Sequence, residues 1–140
     1  MIYLAQTDTT AGFLSKNLQE LNKIKHRNEN QPCLITVAKF SELKKLTRVP
    51  EKFKNFVRKS KKTTILYPNK KAIRVVKNCA HCDFLYKHGW MYSTSANIHG
   101  KNFDIDYAKS VSDIIVDSEF FESTPSKIYK ISNTCTKKIR

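Results

Sequence analysis

Two short segments, about half the chain apart, hold the side chains best suited to handling an anion. In Lys25-His26-Arg27, with Pro32 downstream, two cations flank one residue at the end of an amphipathic stretch. A guanidinium grips two oxygens in a planar fork and an ammonium acts as a mobile point charge, so the pair suits a phosphate. In Ser93-Thr94-Ser95-Ala96-Asn97, with Gly100 beyond, an apolar run passes into a turn of hydroxyls, an amide and a small alanine. Such a turn offers side-chain and backbone donors to an anion or a base edge. Thr7-Asp8-Thr9, followed by Gly12, places further hydroxyls after the first apolar run. Asp8 there reads as a turn-former bonding its own loop rather than as a general base. Taken singly, each segment also has a plain reading. Lys25 and Arg27 fit a basic helix end favoured by the macrodipole, and Thr94–Asn97 fits a polar turn.

Cys79-Ala80-His81-Cys82, with His88 downstream, invites a metal reading. Tetrahedral zinc usually draws on two such pairs, and Cys33 and Cys135 stand alone, so a plain helix start and no metal are expected. A redox dithiol is the other alternative, since C-x-x-C at a helix start can activate a thiol. Trp90 and Tyr92 read as packing residues of the strand before the Ser-Asn turn.

The elements that must position these residues follow from periodicity. Ile2–Gln6 reads as a strand and Thr7–Gly12 as a loop. Leu14, Leu18, Leu21 and Ile24 recur at helical spacing, which predicts a helix over Ser15–His26. Cys33–Ala38 is an apolar strand, with Cys33 a small buried hydrophobe. Ser41 is placed to cap a helix through Leu46, and Pro50 suits the first turn of a second helix to about Lys59. Thr63–Tyr67 and Ala72–Val76 read as strands joined by a turn at Pro68–Lys71. Cys79–His88 reads as a helix stopped by Gly89. Trp90–Thr94 is a strand, Asp104–Lys109 a helical turn, Asp113–Val116 a strand and Lys127–Ile131 a last strand. Helices alternate with strands around a hairpin, so the expected fold is α/β (α+β), one domain over residues 1–140, with a twisted mixed sheet flanked by helices.

The 140 residues suffice for one core without staples. The longest apolar runs, such as Cys33–Ala38, are five or six residues, whereas a membrane span needs about twenty. An export leader would need a longer apolar region near the start. A soluble, cytoplasmic protein with no membrane partner and reduced cysteines is therefore expected. The charge has content: 26 Lys and Arg stand against 12 Asp and Glu. Residues 1–77 carry a net +13 and residues 78–140 a net +1. Lys39–Lys62 alone holds ten cations and two carboxylates. Such a run is either a solvated face or a surface for polyphosphate.

Read in order, these landmarks resemble the YrdC-like family, whose members include threonylcarbamoyl-AMP synthases. Thr7-Asp8-Thr9 with Gly12 is similar to its P-T-D-T-x-Y-G-L loop, and Lys25-x-Arg27 with Pro32 to its K-x-R-x(4)-P. Arg74 in Ile73-Arg74-Val75 resembles the arginine of its R-V-P strand end. Thr94-Ser95-Ala96-Asn97-x-x-Gly100 is similar to T-S-A-N-x-S-G. Pro125-Ser126 and Ile139-Arg140 resemble its P-S-T-[IV] and I-[LI]-R endings. Gln6 and Ala11 replace a family proline and tyrosine, and Val76 replaces the proline of R-V-P. Arg58–Lys62 stands for a Pro-Gly-rich element, with Thr64 where the family has a threonine. Met1 lies almost on the first strand, so the helix that usually precedes it is expected to be absent. The chain looks like a compact, divergent member.

The resemblance implies a YrdC/RibB-like fold and a reaction joining L-threonine, bicarbonate and ATP, with Mg2+ accompanying ATP and no tightly bound cofactor. The product, threonylcarbamoyl-AMP, would supply the N6-threonylcarbamoyl group of adenosine in tRNA. On this reading Lys25 and Arg27 are catalytic and hold phosphate, joined in the ATP site by Thr64, Ser95, Asn97, Ser126 and Arg140. Thr9 and Arg74 would meet threonine. Partners would be tRNA-modification proteins, and tRNA or other structured RNA through basic residues 39–62. The rival expectation is a non-catalytic module of the same fold that binds tRNA or double-stranded RNA; carbamoyl transfer to a different acceptor is a third.

Overall fold

The computed structural model describes residues 1–77 and 79–140. In chain order the elements are β1 (Tyr3–Gln6), β2 (Ala11–Ser15), α1 (Leu18–Ile24), β3 (Leu34–Val37) and α2 (Phe40–Leu46). A 3-10 turn (Glu51–Phe53) leads into α3 (Lys54–Lys59), β4 (Thr63–Leu66), β5 (Ala72–Val75) and α4 (His81–His88). The remainder is β6 (Trp90–Ser95), α5 (Ile105–Val111), β7 (Ile114–Ile115), β8 (Lys127–Ile131) and β9 (Thr136–Lys138). The chain forms two compact units, Met1–Cys33 with Met91–Ser123, and Leu34–Trp90 with Thr124–Arg140. Both mix parallel and antiparallel strand pairs, and both carry helices against them, so the expected mixed α/β character is present.

In the first unit the strands run in the order β7, β1, β2, β6. β1 and β2 form an antiparallel hairpin, β7 lies parallel to β1, and β6 antiparallel to β2. Leu4 and Phe13 stand opposite each other in register. Both join a buried cluster with Ile2, Ala11, Leu21, Ala96 and Ala108, where each large side chain contributes about 1.5–3 kcal/mol by leaving water. From periodicity alone Ala11–Gly12 falls in a loop and the helix starts at Ser15. Instead, all five residues of β2 are buried, and the helix starts where Asn17 caps it by accepting from the Glu20 N–H at 3.2 Å. Thr7 makes the hairpin turn: its Oγ1 donates to the Thr10 carbonyl at 2.7 Å and accepts from the Thr10 N–H at 3.2 Å. Gly12 is required by this turn, because a Cβ there would lie 2.7 Å from Thr7 Cγ2 and 3.3 Å from the Thr94 carbonyl oxygen.

In the second unit the order is β3, β5, β4, β8, β9. β3 runs parallel to β5 and β4 parallel to β8, while β4/β5 and β8/β9 are antiparallel. α2 packs on β3 and β5, and α4 packs on β3. Opposed residues share a face, so Ile35, Ile73, Ile65 and Tyr129 form one row, and Thr36, Arg74, Thr64 and Ile128 form a second row on the other face. α4 ends as expected at Gly89, whose φ of 80° suits glycine. The Ser41 cap does not form; α2 begins at Phe40 behind Lys39, with no side-chain cap bond. β9 has no counterpart among the strands the sequence predicts. Its Thr-Lys-Lys sequence is exposed throughout, so it carries no apolar signal, and lysines on such an edge discourage further pairing.

Candidate functional site

The end of α1 explains how Lys25 and Arg27 come to point apart. The Arg27 N–H returns to the Asn22 carbonyl at 3.1 Å and the His26 N–H to the Lys23 carbonyl at 3.2 Å. This is a Schellman closure, with His26 in the left-handed position at φ 56° where glycine is usual. The chain reverses at His26, and its two neighbours take different environments.

Lys25 turns inward and is only 2% exposed. Its Nζ donates to the carbonyl oxygens of Ser95 and Asn97, both at 2.8 Å, and lies 3.3 Å from Ser95 Oγ and 3.2 Å from Asn97 Oδ1. The Ser95 hydroxyl donates to Asn97 Oδ1 in turn, and the His99 N–H bonds the Lys25 carbonyl at 3.1 Å. The turn after β6 is therefore wrapped around the lysine head, and no carboxylate is among the partners. Burial, reinforced by the positive charge of Arg27 and partly opposed by Cys33, lowers the Lys25 pKa from 10.5 to about 8.

Arg27 is half-buried on the other side of the reversal. Its Nε donates to Asn22 Oδ1 at 2.7 Å and its Nη2 to Cys33 Sγ at 2.8 Å, while Nη1 makes no hydrogen bond among the described residues. Asn22 is itself fixed, donating to the carbonyls of Glu29 and Gln31 at 2.9 Å each. Cys33 is thus not the inert buried hydrophobe expected from sequence; it is half-buried and its sulfur holds the guanidinium. Burial pushes its thiol pKa up, and Arg27 pulls in the opposite direction. Thr9 lies in the β1–β2 turn, its Oγ1 3.4 Å from Thr7 Oγ1 and its carbonyl accepting from the Ser123 N–H at 2.7 Å.

The remaining residues singled out by sequence lie in the second unit. Thr64 Oγ1 and Ser126 Oγ are 3.2 Å apart and both residues are buried. Arg140 closes on the same serine, donating from Nε and Nη2 to the Ser126 carbonyl at 3.0 and 2.9 Å and from Nη2 to its Oγ at 3.3 Å. Arg74, also buried, stands opposite Thr64 on one side and Thr36 on the other. The structure thus brings Lys25, Ser95 and Asn97 together, and Thr64, Ser126 and Arg140 together. Arg27 bonds to Asn22 and Cys33 rather than to the Ser-Asn turn.

Sequence reasoning missed Asn22 and read Cys33 only as a small buried hydrophobe. Asn22 sits one residue after Leu21 on the helical stripe, and a polar residue there was the available signal for a buried amide. The four cysteines are free thiols. Among the described residues no three His, Cys, Asp or Glu side chains gather as a metal cage, and no helix is long and apolar enough to cross a membrane.

Comparison with known proteins gives a consistent picture. A family model named for Sua5, YciO and YrdC, described as telomere recombination, matches residues 5–140. No curated protein matches the chain. Among solved structures, a double-alanine variant of P. abyssi Sua5 superposes with a TM-score of 0.83 at 16% identity, covering 99% of this chain and 52% of that one. P. abyssi Sua5 complexed with L-threonine gives 0.81 at 18% identity, with 99% and 49% covered. E. coli YciO gives 0.76 at 16% identity, with 99% and 82% covered. These likenesses establish the fold, and the chain spans about half the length of the two Sua5 chains.

Proposed function

Because the chain belongs to the Sua5/YciO/YrdC family, we propose that it makes threonylcarbamoyl-AMP from L-threonine, bicarbonate and ATP, as the activated intermediate for N6-threonylcarbamoyladenosine in tRNA. The observation that carries this reading is the setting of Lys25: a buried ammonium, held by four oxygens of the Ser95–Asn97 turn, none of them anionic. Its charge is fixed in place but not neutralised. In the proposed reaction a carbamate oxygen of N-carboxythreonine forms a bond to the α-phosphorus of ATP, and the bond from that phosphorus to the pyrophosphate oxygen breaks. Two anions must approach and negative charge gathers on the leaving group, so preorganised cations supply the main stabilisation.

On this reading Arg27 faces phosphate oxygens through its unused Nη1, and the buried Lys25 acts on them through its charge from behind the turn. The Ser95 hydroxyl and the Asn97 amide, which bond within the turn and to the carbonyls of Ile98 and Lys101, would serve phosphate by exchanging those partners. Thr64, Ser126 and Arg140 serve the nucleotide, while Thr9 and Arg74 serve threonine. The threonine in the P. abyssi Sua5 complex supports that amino acid as the ligand. Magnesium would enter as the counter-ion of ATP, needing no cage of protein carboxylates. The test is pyrophosphate release from purified protein given ATP and bicarbonate. Release should require threonine, and Arg27→Ala should lower it roughly a hundredfold while the circular dichroism spectrum is kept. Threonine-independent release, or a wild-type rate in Arg27→Ala, would overturn the assignment.

A further inference from the structure

We propose that the groove between α2 and α3 docks an acidic segment of a partner protein through an apolar anchor side chain. The groove has a volume of about 490 Å3, within the range of roughly 300–1,000 Å3 typical of binding clefts. Its floor is aliphatic: Leu43 and Val57 are buried, and Val49, on the connecting loop, is half-buried. Among the described residues its rim carries Lys44, Arg48, Lys54 and Arg58, all exposed, against one carboxylate, Glu51. Lys54 and Arg58 are four residues apart on α3 and so share a helix face.

The rim cations have no side-chain partner among the described residues. The side chains of Lys44, Arg48, Lys54 and Arg58 make no hydrogen bond or ion pair among the described residues. Three cations just outside the groove are engaged: Lys45 pairs with Glu42 at 3.2 Å, Lys52 donates to the Thr134 carbonyl at 2.9 Å, and Lys39 sits over the Tyr86 ring at 5.3 Å. Four unpaired cations around an aliphatic floor complement a segment that alternates carboxylates with one or more apolar side chains, the helix-in-groove mode of recognition. RNA is the poorer fit. A phosphate backbone leaves the floor unfilled, and bases stack on free aromatic faces. Among the described residues lining the groove the one aromatic is Phe40, which already has the Lys77 ammonium 5.1 Å from its ring centre.

The experiment is an amide NMR titration of the full chain with a synthetic glutamate-rich peptide of about fourteen residues carrying three leucines at helical spacing. A leucine-to-serine version and a short RNA duplex are titrated in parallel. Saturable shifts confined to residues 40–58 are expected with the leucine peptide, and at least roughly tenfold weaker binding with the serine peptide. Val49→Asp should weaken the leucine peptide by a similar factor and leave any duplex binding unchanged. Arg48→Glu with Lys54→Glu, both exposed positions, should do the same to the peptide in a protein whose remaining spectrum is unaltered. No saturable peptide binding, equal binding of the two peptides, or duplex RNA that moves the same amides and is lost with Val49→Asp would overturn the proposal. None of these outcomes depends on adenylate synthesis.

Discussion

Lys25 ties protonation to the proposed chemistry at one atom, and its pH dependence can be worked out. Its amine titrates near 8 instead of 10.5, because burial and Arg27 both disfavour the charged form. The ammonium is then present on about nine-tenths of molecules at pH 7 and about one-tenth at pH 9. If its charge serves the substrate, threonine-dependent pyrophosphate release falls roughly tenfold across that interval, whereas an exposed lysine would stay charged beyond it. Stability moves the opposite way. Between pH 8 and 10.5 the unfolded chain keeps a proton that the folded chain has released, so the unfolded state binds more protons and stability rises with pH. The gain is complete above 10.5, at most about 3 kcal/mol, and is lost as pH falls through about 8. Lysine labelled with 13C at Cε, assigned by its loss in Lys25→Met, reports the titration directly. Asn97→Asp would put a carboxylate oxygen about where Oδ1 lies, 3.2 Å from Nζ, and should move both the titration and the loss of activity upward by at least about one pH unit. A wild-type titration near 10.5, or an Asn97→Asp titration that stays near 8, would refute the reasoning.

Two further substitutions test the geometry around this site. Gly12→Ala places a methyl 2.7 Å from Thr7 Cγ2 and should destabilise the protein by about 1–3 kcal/mol in urea unfolding; Thr7→Ser removes that methyl but keeps the hydroxyl, so the double variant should recover part of the loss, and strict additivity would mean the clash is not the cause. His26→Gly relieves the left-handed φ of 56° and should raise stability by about 0.5–1 kcal/mol; a lower melting temperature would show instead that the ring contact with Tyr107, at 6.2 Å, outweighs the backbone strain.

Much of the scaffold was legible because it rests on local signals. Apolar runs marked β1, β3, β4, β5 and β8, and Gly89 marked the end of α4 at its left-handed residue. β2 was hidden because Ala11–Ser15 is buried at every position, which removes the alternation that identifies a strand, and Leu14 happens to fall at helical spacing from Leu18. The available clue was Thr7–Thr10, a turn-forming stretch between two apolar runs of similar length. At the site, the order of the motifs identified Lys25, Ser95 and Asn97 as related, but their contacts depend on a Schellman closure with histidine in place of glycine. Residue types alone do not announce that closure, nor the use of Cys33 as an acceptor for Arg27.

What the sequence leaves open at a cation is whether its charge is cancelled, and here the partners decide. A carboxylate would anchor Lys25 as firmly as the turn does, but it would also remove most of the field that a phosphate could feel. Carbonyl, hydroxyl, amide and thiol acceptors orient a cation while leaving its unit charge in force. Lys25 is held by the Ser95–Asn97 turn and Arg27 by Asn22 and Cys33 in the first unit; Arg140 is held by Ser126 in the second. Each is restrained by neutral groups, so the ordering of the side chain is completed on folding while the electrostatic demand is left for an anion to satisfy. The lowered pKa of Lys25 is the internal sign of that unmet demand. An anion bound against the Ser95–Asn97 turn would relieve it and favour the proton above pH 8, so substrate binding in this window should take up a proton from solution.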